Sequence, residues 1–335
     1  MAEALNWGLI GASRIAAGHM INAFRQTGGT ITSVLSSSDE RGRAYAAEHG
    51  IDQAFTDLDA LLATDCNAVY ISTTNEKHKD QAMAAIAAGK HVLCEKPLAM
   101  TVADAVEMVR AADAAGVTFA TNHHLRNAGT QLAIKALIDD GSVGDVLSMR
   151  VHHAVHLPAV LQGWRIDNPE AGGGVIPDIT VHDADTVRFH LGEDPVEVVA
   201  QAANSGMGQG VEDSAMSVWR MPSGAMVMAH ESFTHAFAGT ALEVHGTKGS
   251  IFAKGVMTQA PVGEITLVDA SGSRAIPFSD HDLYVRSMGL FTAACGGNGA
   301  PSATGEDGIK SLAVAMAVRQ AALTGDATQV DYGGV

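Results

Sequence analysis

Up to Asn122 the chain alternates short apolar runs with stretches that place apolar residues at helical spacing. Leu5–Ile10, Thr30–Leu35, Ala68–Ile71, His91–Cys94 and Thr118–Thr121 are short, apolar or β-branched, and predict strands. Ile15–Thr27, Glu40–His49, Lys79–Ala88 and Val102–Ala115 lie between them and predict helices, the last capped by Thr101. Strands separated by single helices form βαβ units and therefore a parallel sheet. Pro97 ends the His91–Cys94 segment, because proline continues neither a strand ladder nor a helix interior.

Beyond Asn122 the rhythm changes. Thr130–Asp139 and Asp178–Leu191 predict helices, with a strand at Val146–Val155 and a loop bearing Gly172, Gly173 and Gly174 between them. Then Val196–Ala203, Ala215–Arg220, Ala225–Glu231, Ala241–Val244, Gly249–Ala253 and Ile265–Val268 follow one another without intervening helices. Pro222-Ser223-Gly224 and Gly246-Thr247-Lys248-Gly249 sit where hairpin turns belong. Two helices, Leu283–Ala294 and Asp307–Ala322, close the chain. The expected division is residues 1–122 as an α/β unit and 123–335 as an α+β unit with a large mixed or antiparallel sheet and helices on one face.

Composition narrows the partners. The 335 residues leave room for two domains, and 47% hydrophobic against 17% charged residues excludes a disordered chain. No apolar run approaches the ~18 residues of a membrane span, and no basic segment precedes an apolar one at the N-terminus. Three cysteines without CxxC spacing fit a reducing cytoplasm better than a disulfide or zinc framework. With 21 Lys and Arg against 37 Asp and Glu, the net charge of −16 repels nucleic acid and anionic lipid. One local basic pocket for a phosphorylated cofactor remains compatible with that charge.

The first predicted strand runs directly into Gly11-Ala12-Ser13-Arg14-Ile15-Ala16, the position of a dinucleotide fingerprint. Gly11 permits the tight turn, Ser13 is small enough for a pyrophosphate to approach, and Ala16 lets the helix pack closely. The helix N-terminus then presents its N–H groups to phosphate. This predicts a Rossmann dinucleotide-binding domain. The second strand ends in Ser36-Ser37-Ser38, with Arg41 shortly after, instead of the acidic residue that holds the ribose 2′-hydroxyl of NAD. Serine hydroxyls and a guanidinium suit a 2′-phosphate, so NADP(H) is the expected cofactor. Ser38 as a helix cap with Arg41 solvated is the plainer reading, and the two are compatible.

Gly8-Leu-Ile-Gly11-Ala12, Ser72-Thr73-Thr74-Asn75 with His78, Glu95-Lys96-Pro97 and Asp178-x-x-x-His182 together resemble the Gfo/Idh/MocA oxidoreductases over essentially the whole chain. Within that family, Trp7–Ser13, His91–Met100, Thr121–Asn127, Leu161–Arg165, Asp178–Asp185 and Glu243–Thr247 are similar to a branch that reduces a cyclic sugar ketone with NADPH. The resemblance implies NADP contacts at Ser13, Ser36 and Arg41, and roles for Lys96 and His182 beside nicotinamide and sugar. An NAD(P)-dependent sugar or inositol dehydrogenase is the alternative.

The residue types suit that chemistry. Carbonyl reduction needs a hydride donor, a proton donor and a group that holds developing alkoxide charge. Asp178 and His182 are i and i+4, so they share a helix face. His182 is the candidate acid, and Asp178 anchors substrate hydroxyls or orients the imidazole. Lys96 is placed to polarise the carbonyl and touch the nicotinamide ribose. Asn122 offers an amide at the same edge, Trp164-Arg165 a loop to close over the nicotinamide, and Tyr284 either a substrate contact or a core side chain. His123-His124, His152-His153 and His156 do not read as a metal centre, since adjacent strand residues face opposite ways and no acidic or thiol ligand completes a set. A non-catalytic nucleotide sensor would keep the glycine turn but lose Lys96 and His182; both are present. A small sugar is the expected partner, with monomer and homo-oligomer both open.

Overall fold

The computed structural model describes residues 4–335. Its contacts divide the chain into two compact units, residues 1–123 with 284–309, and residues 124–283 with 310–335. The segment 284–309 thus returns to the first unit, where a split in chain order would leave it with the second. Its apolar side chains explain this: Tyr284, Met288 and Phe291 form one buried stripe at helical spacing, and Phe291 packs on Trp7.

In the first unit six strands form one parallel sheet: β1 (Asn6–Ile10), β2 (Thr30–Leu35), β3 (Gln53–Phe55), β4 (Ala68–Ile71), β5 (His91–Cys94) and β6 (Phe119–Thr121). Their order is β3-β2-β1-β4-β5-β6, and every pairing is parallel. The connections include α1 (Ile21–Gln26), preceded by a π-helical turn over Ala16–Met20, then α2 (Asp39–His49), α3 (Leu58–Leu62), α4 (His78–Ala87) and α5 (Val102–Ala115). Strand order reverses between β1 and β4, so the carboxyl ends of these two strands open a crevice, the ligand position in doubly wound sheets. Trp7, Phe24 and Tyr70 are fully buried around β1 and β4. Burial of each such side chain is worth on the order of 1.5–3 kcal/mol.

The second unit is built on a nine-stranded sheet. Its strands are β7 (Val146–Ala154), β8 (Glu197–Ala203), β9 (Ser214–Arg220), β10 (Met226–Ser232), β11 (Thr240–Gly246), β12 (Gly249–Lys254), β13 (Glu264–Asp269), β14 (Gly272–Ala275) and β15 (Thr328–Gln329). The order is β14-β13-β12-β11-β7-β10-β9-β8-β15, antiparallel except for the parallel pair β7 and β10 that makes the sheet mixed. Alternation along β9 buries Ala215, Ser217 and Trp219 and exposes Met216, Val218 and Arg220. The buried face packs with α6 (Gly129–Asp139), α7 (Trp164–Asp167) lies in the long loop, and α8 (Val181–Leu191) follows a π-helical turn over Ile176–Thr180. The last helices are α9 (Leu283–Cys295) and α10 (Gly305–Thr324). Among the described residues no helix is long and apolar enough to cross a membrane.

Candidate active site

The glycine turn is held by its neighbours at the head of the first sheet. Gly11 has φ +117°, and a Cβ there would stand 3.1 Å from the Ser72 backbone, so only glycine fits. Ser13 Oγ meets Ser72 Oγ at 2.8 Å and accepts from the Ala16 N–H at 3.2 Å, which ties the ends of β1 and β4 together. Ala12 is buried, Ile15 half-buried and Arg14 exposed. At the end of β2, Ser36 is buried and Ser37 exposed. Ser38 caps α2 by accepting from the Arg41 N–H at 3.3 Å, while Arg41 Nη2 donates to the Ala12 carbonyl at 2.7 Å. Ser38 is thus a cap, and the Arg41 guanidinium, though exposed, lies against the glycine turn.

The loops after β4 and β5 are cross-braced. His78 is fully buried, with Nδ1 2.9 Å from the Pro97 carbonyl oxygen and Nε2 3.3 Å from that of Thr73. Burial pulls its pKa down against the pull of those carbonyls. His78 thus clamps the Thr73–Asn75 loop to Lys96-Pro97. Thr73 donates to Gln81 at 2.6 Å, Thr74 donates to Glu76 at 2.7 Å, and Asn75 is buried. Glu95 is an internal anchor: its Oε1 accepts from Tyr70 Oη at 2.5 Å and from Asn122 Nδ2 at 2.6 Å. Burial, then the Glu95 charge, pushes the Tyr70 phenol well above its usual range, so it stays a donor. Lys96 follows at the edge of this brace, half-buried. Tyr284 is fully buried and stacks on the His19 ring at 4.8 Å.

In the second unit a different set converges. Asp178 stands in the π-helical turn and His182 in the first turn of α8, both nearly buried. The predicted helix begins with a wider i→i+5 turn, a feature frequent at functional sites. Arg165 Nε pairs with Asp178 Oδ2 at 3.3 Å, and the Arg165 guanidinium lies 4.6 Å from the Trp164 ring centroid. Trp164, Arg165 and Asp178 are thus one group. The His182 ring lies 5.1 Å from that of His124 and 6.2 Å from that of His153. His153 Nδ1 contacts Asp183 Oδ1 at 2.8 Å, and His152 instead meets the His230 ring edge-on with centroids 5.2 Å apart, so the adjacent histidines face opposite ways. Among the described residues no group of three or more His, Cys, Asp or Glu has metal-binding geometry.

Comparison with known proteins decides the family. The profile described as "Oxidoreductase family, NAD-binding Rossmann fold" matches residues 5–123, and "GFO/IDH/MocA C-terminal domain" matches 131–252. The chain belongs to the Gfo/Idh/MocA oxidoreductase family. It is 54% identical over 329 residues to a protein of Ensifer adhaerens named 1,5-anhydro-D-fructose reductase, covering 98% of this chain and 99% of that one. Among solved structures, the aldose-aldose oxidoreductase of Caulobacter crescentus superimposes with TM-score 0.89 at 24% identity, over 98% of this chain and 100% of that one. Levoglucosan dehydrogenase in complex with NADH and L-sorbose does so with TM-score 0.88 at 22% identity, over 99% and 100%. At these identities the two structures speak for the fold.

As a Gfo/Idh/MocA chain, this one has the parts a nicotinamide dinucleotide needs. The turn at Gly11 takes a positive φ tight against the Ser72 backbone, and a helix starts directly after it. Ser36 Oγ and Asn122 Oδ1 are buried polar atoms without a hydrogen-bond partner among the described residues. A hydroxyl at the end of β2 and an amide oxygen beyond β6 fit the two ends of such a cofactor. Three residues near the predicted chemistry had no expectation attached: Tyr70, Asp183 and Glu231. For Glu231 a signal existed, because it continues the inward register of Val227 and Ala229 on β10.

Proposed function

We propose that the protein is an NADPH-dependent reductase of a cyclic sugar ketone, converting 1,5-anhydro-D-fructose to 1,5-anhydro-D-mannitol. The observation that carries this is the 54% identity, nearly end to end, with the Ensifer adhaerens reductase. The preference for NADPH is supported by Ser36 at the end of β2 and by Arg41, held against the Ala12 carbonyl. No carboxylate stands at Ser36, where one would hold a ribose 2′-hydroxyl and repel a 2′-phosphate.

In this reading residues 1–122 carry cofactor binding and 123–335 substrate binding, with 284–309 completing the first unit. Gly11, Ala12, Ser13, Arg14 and Ile15 would cradle the pyrophosphate. Ser36, Ser37 and Arg41 would take the 2′-phosphate. Thr73, Thr74, Asn75, Glu95, Lys96, Asn122, Trp164, Arg165 and Tyr284 would line the nicotinamide half, with His78 as the clamp beneath. When bound there, a reduced nicotinamide would supply the hydride that the ketone carbon needs. Lys96 holds the negative charge that develops on the carbonyl oxygen. His182 gives that oxygen a proton, so the ketone gains one hydride and one proton in all. Asp178, fixed by Arg165, accepts hydrogen bonds from neighbouring sugar hydroxyls.

A panel of cyclic ketoses and polyols, run with NADPH and with NADH and followed at 340 nm, tests the reading. It requires the highest kcat/KM for 1,5-anhydro-D-fructose with NADPH. A higher value for inositol or aldose oxidation with NAD⁺ would replace it with the dehydrogenase alternative.

A further inference from the structure

We propose that Asp183 and Glu231 form a buried pair of carboxyl groups sharing one proton, and that this pair, through His153, positions His182 and keeps it protonated. The inference rests on the reading of His182 as the proton donor; Asp183, Glu231 and His153 are positioning residues.

The pair arises from two parallel strands and a helix start. Parallel pairing of β7 with β10 sets His153 opposite Glu231. The first turn of α8 sets Asp183 beside His182 and brings it to the same place. Asp183 and Glu231 are both wholly buried, and Asp183 Oδ2 and both Glu231 carboxyl oxygens have no hydrogen-bond donor among the described residues. Two neighbouring buried carboxyl groups with no donors for these oxygens cannot both stay ionised, so the pair takes up one proton and shares it. Burial, then the Asp183 charge, pushes the Glu231 carboxyl well above its ordinary range. Burial raises Asp183 too, but His153 pulls it back. Glu231 therefore holds the proton, and Asp183, with Oδ1 on His153, holds the charge. His153 then donates Nδ1–H to the Asp183 carboxylate, which fixes its tautomer and ring orientation beside His182.

The surroundings single out this charge. Arg126, from the turn His124–Asn127, is matched by Asp185 at 2.7 Å, and Arg165 is matched by Asp178. Further along α8, Arg188 and Lys310 are matched by Asp194. Three imidazoles also stand here: His124 and His153 beside His182, and His152 within electrostatic reach of Asp183. One negative charge among these rings favours the imidazolium form that a proton donor needs. A cluster serving stability alone would not depend on which carboxyl carries the charge.

The test combines the pH profile of kcat in the reducing direction with NMR titration of histidine C2–H signals in the cofactor-free protein. In Asp183→Asn the alkaline limb should move down by about one to two pH units, the order expected for removal of one nearby charge at an effective dielectric near 20. The titration midpoints of His153 and His182 should move down with it. Glu231→Gln keeps a neutral donor next to Asp183, so limb and midpoints should stay within about 0.3 pH unit. The proposal is overturned if Asp183→Asn leaves the midpoints in place, or if Glu231→Gln shifts them as far as Asp183→Asn does. Should Asp183→Asn fail to fold, infrared difference spectra decide: a protonated-carboxyl band at neutral pH that disappears in Glu231→Gln supports the pair, and its absence from the wild type refutes it. A limb that survives in His182→Ala would instead refute His182 as the donor, while the His153 midpoint still judges the pair.

Discussion

Replacing Arg41 with alanine should separate the two nicotinamide cofactors. The Arg41 guanidinium is held at the glycine turn by its 2.7 Å bond to the Ala12 carbonyl, and its backbone is fixed by the Ser38 cap. That contact uses one of the five guanidinium N–H donors and leaves others for a 2′-phosphate. A charge-assisted hydrogen bond contributes about 1.5–3 kcal/mol. Arg41 is exposed, and solvent screening places the value at the lower end, about 1.5–2 kcal/mol, or ~10–30-fold in affinity. The lost bond to Ala12 weakens both cofactors alike and cancels in the ratio of their Michaelis constants. Initial rates at saturating ketone, with NADPH and NADH varied in turn, should therefore show KM for NADPH rising ~10–30-fold more than KM for NADH. Fluorescence titration of each reduced cofactor gives the same ratio without turnover. Equal effects on both cofactors would remove Arg41 from the 2′-phosphate site.

Three further outcomes follow from the packing. Gly11→Ala forces a side chain against the Ser72 backbone at positive φ, so it should destabilise the fold by about 1–3 kcal/mol in urea unfolding and weaken NADPH and NADH equally; a change in cofactor ratio would contradict this. Tyr70→Phe removes one of two donors to a nearly buried Glu95 oxygen and should cost about 1–3 kcal/mol of stability, a loss absent if the bond contributes nothing. His190 donates to Gln131 at 2.7 Å in full burial, which lowers its pKa to about 3. Its contribution is complete above the unfolded value near 6.5 and is lost as pH falls toward 3, so unfolding free energy should drop by roughly 2 kcal/mol between pH 6.5 and 5 on this account alone. His190→Gln should flatten that slope, and an unchanged slope would show that other groups set it.

The first sheet was legible because parallel strands buried on both faces read as unbroken apolar runs, as in Ala68–Ile71 and His91–Cys94. β3 escaped notice: Gln53–Phe55 is three residues at a sheet edge, partly exposed, with nothing to mark it as a strand. β14 is wholly exposed and β15 has two residues, so neither carries an apolar signature. The return of 284–309 to the first unit depends on where a buried aromatic stripe finds its partners, which local periodicity does not state. The candidate site divides in the same way. The glycine turn, Ser36, Arg41 and the Asp178–His182 spacing are local and readable. Glu95 as an acceptor for Tyr70 and Asn122, His78 as a clamp, and the Asp183–Glu231 contact join residues 19 to 48 positions apart in sequence, brought together by strand order. Glu231 offered one hint, a carboxylate in the inward register of a strand, where an unpartnered charge would be costly.

The central claim is proton transfer from His182 to a ketone oxygen that receives hydride at its carbon. The most direct measurement is kcat of His182→Ala with 1,5-anhydro-D-fructose, alongside NADPH affinity by fluorescence. General acid catalysis typically supplies ~10²–10⁴-fold, so kcat should fall by that factor while NADPH affinity stays within about threefold of wild type. A kcat within about threefold of wild type across the pH range would show that another group donates the proton, with Lys96 the first to examine.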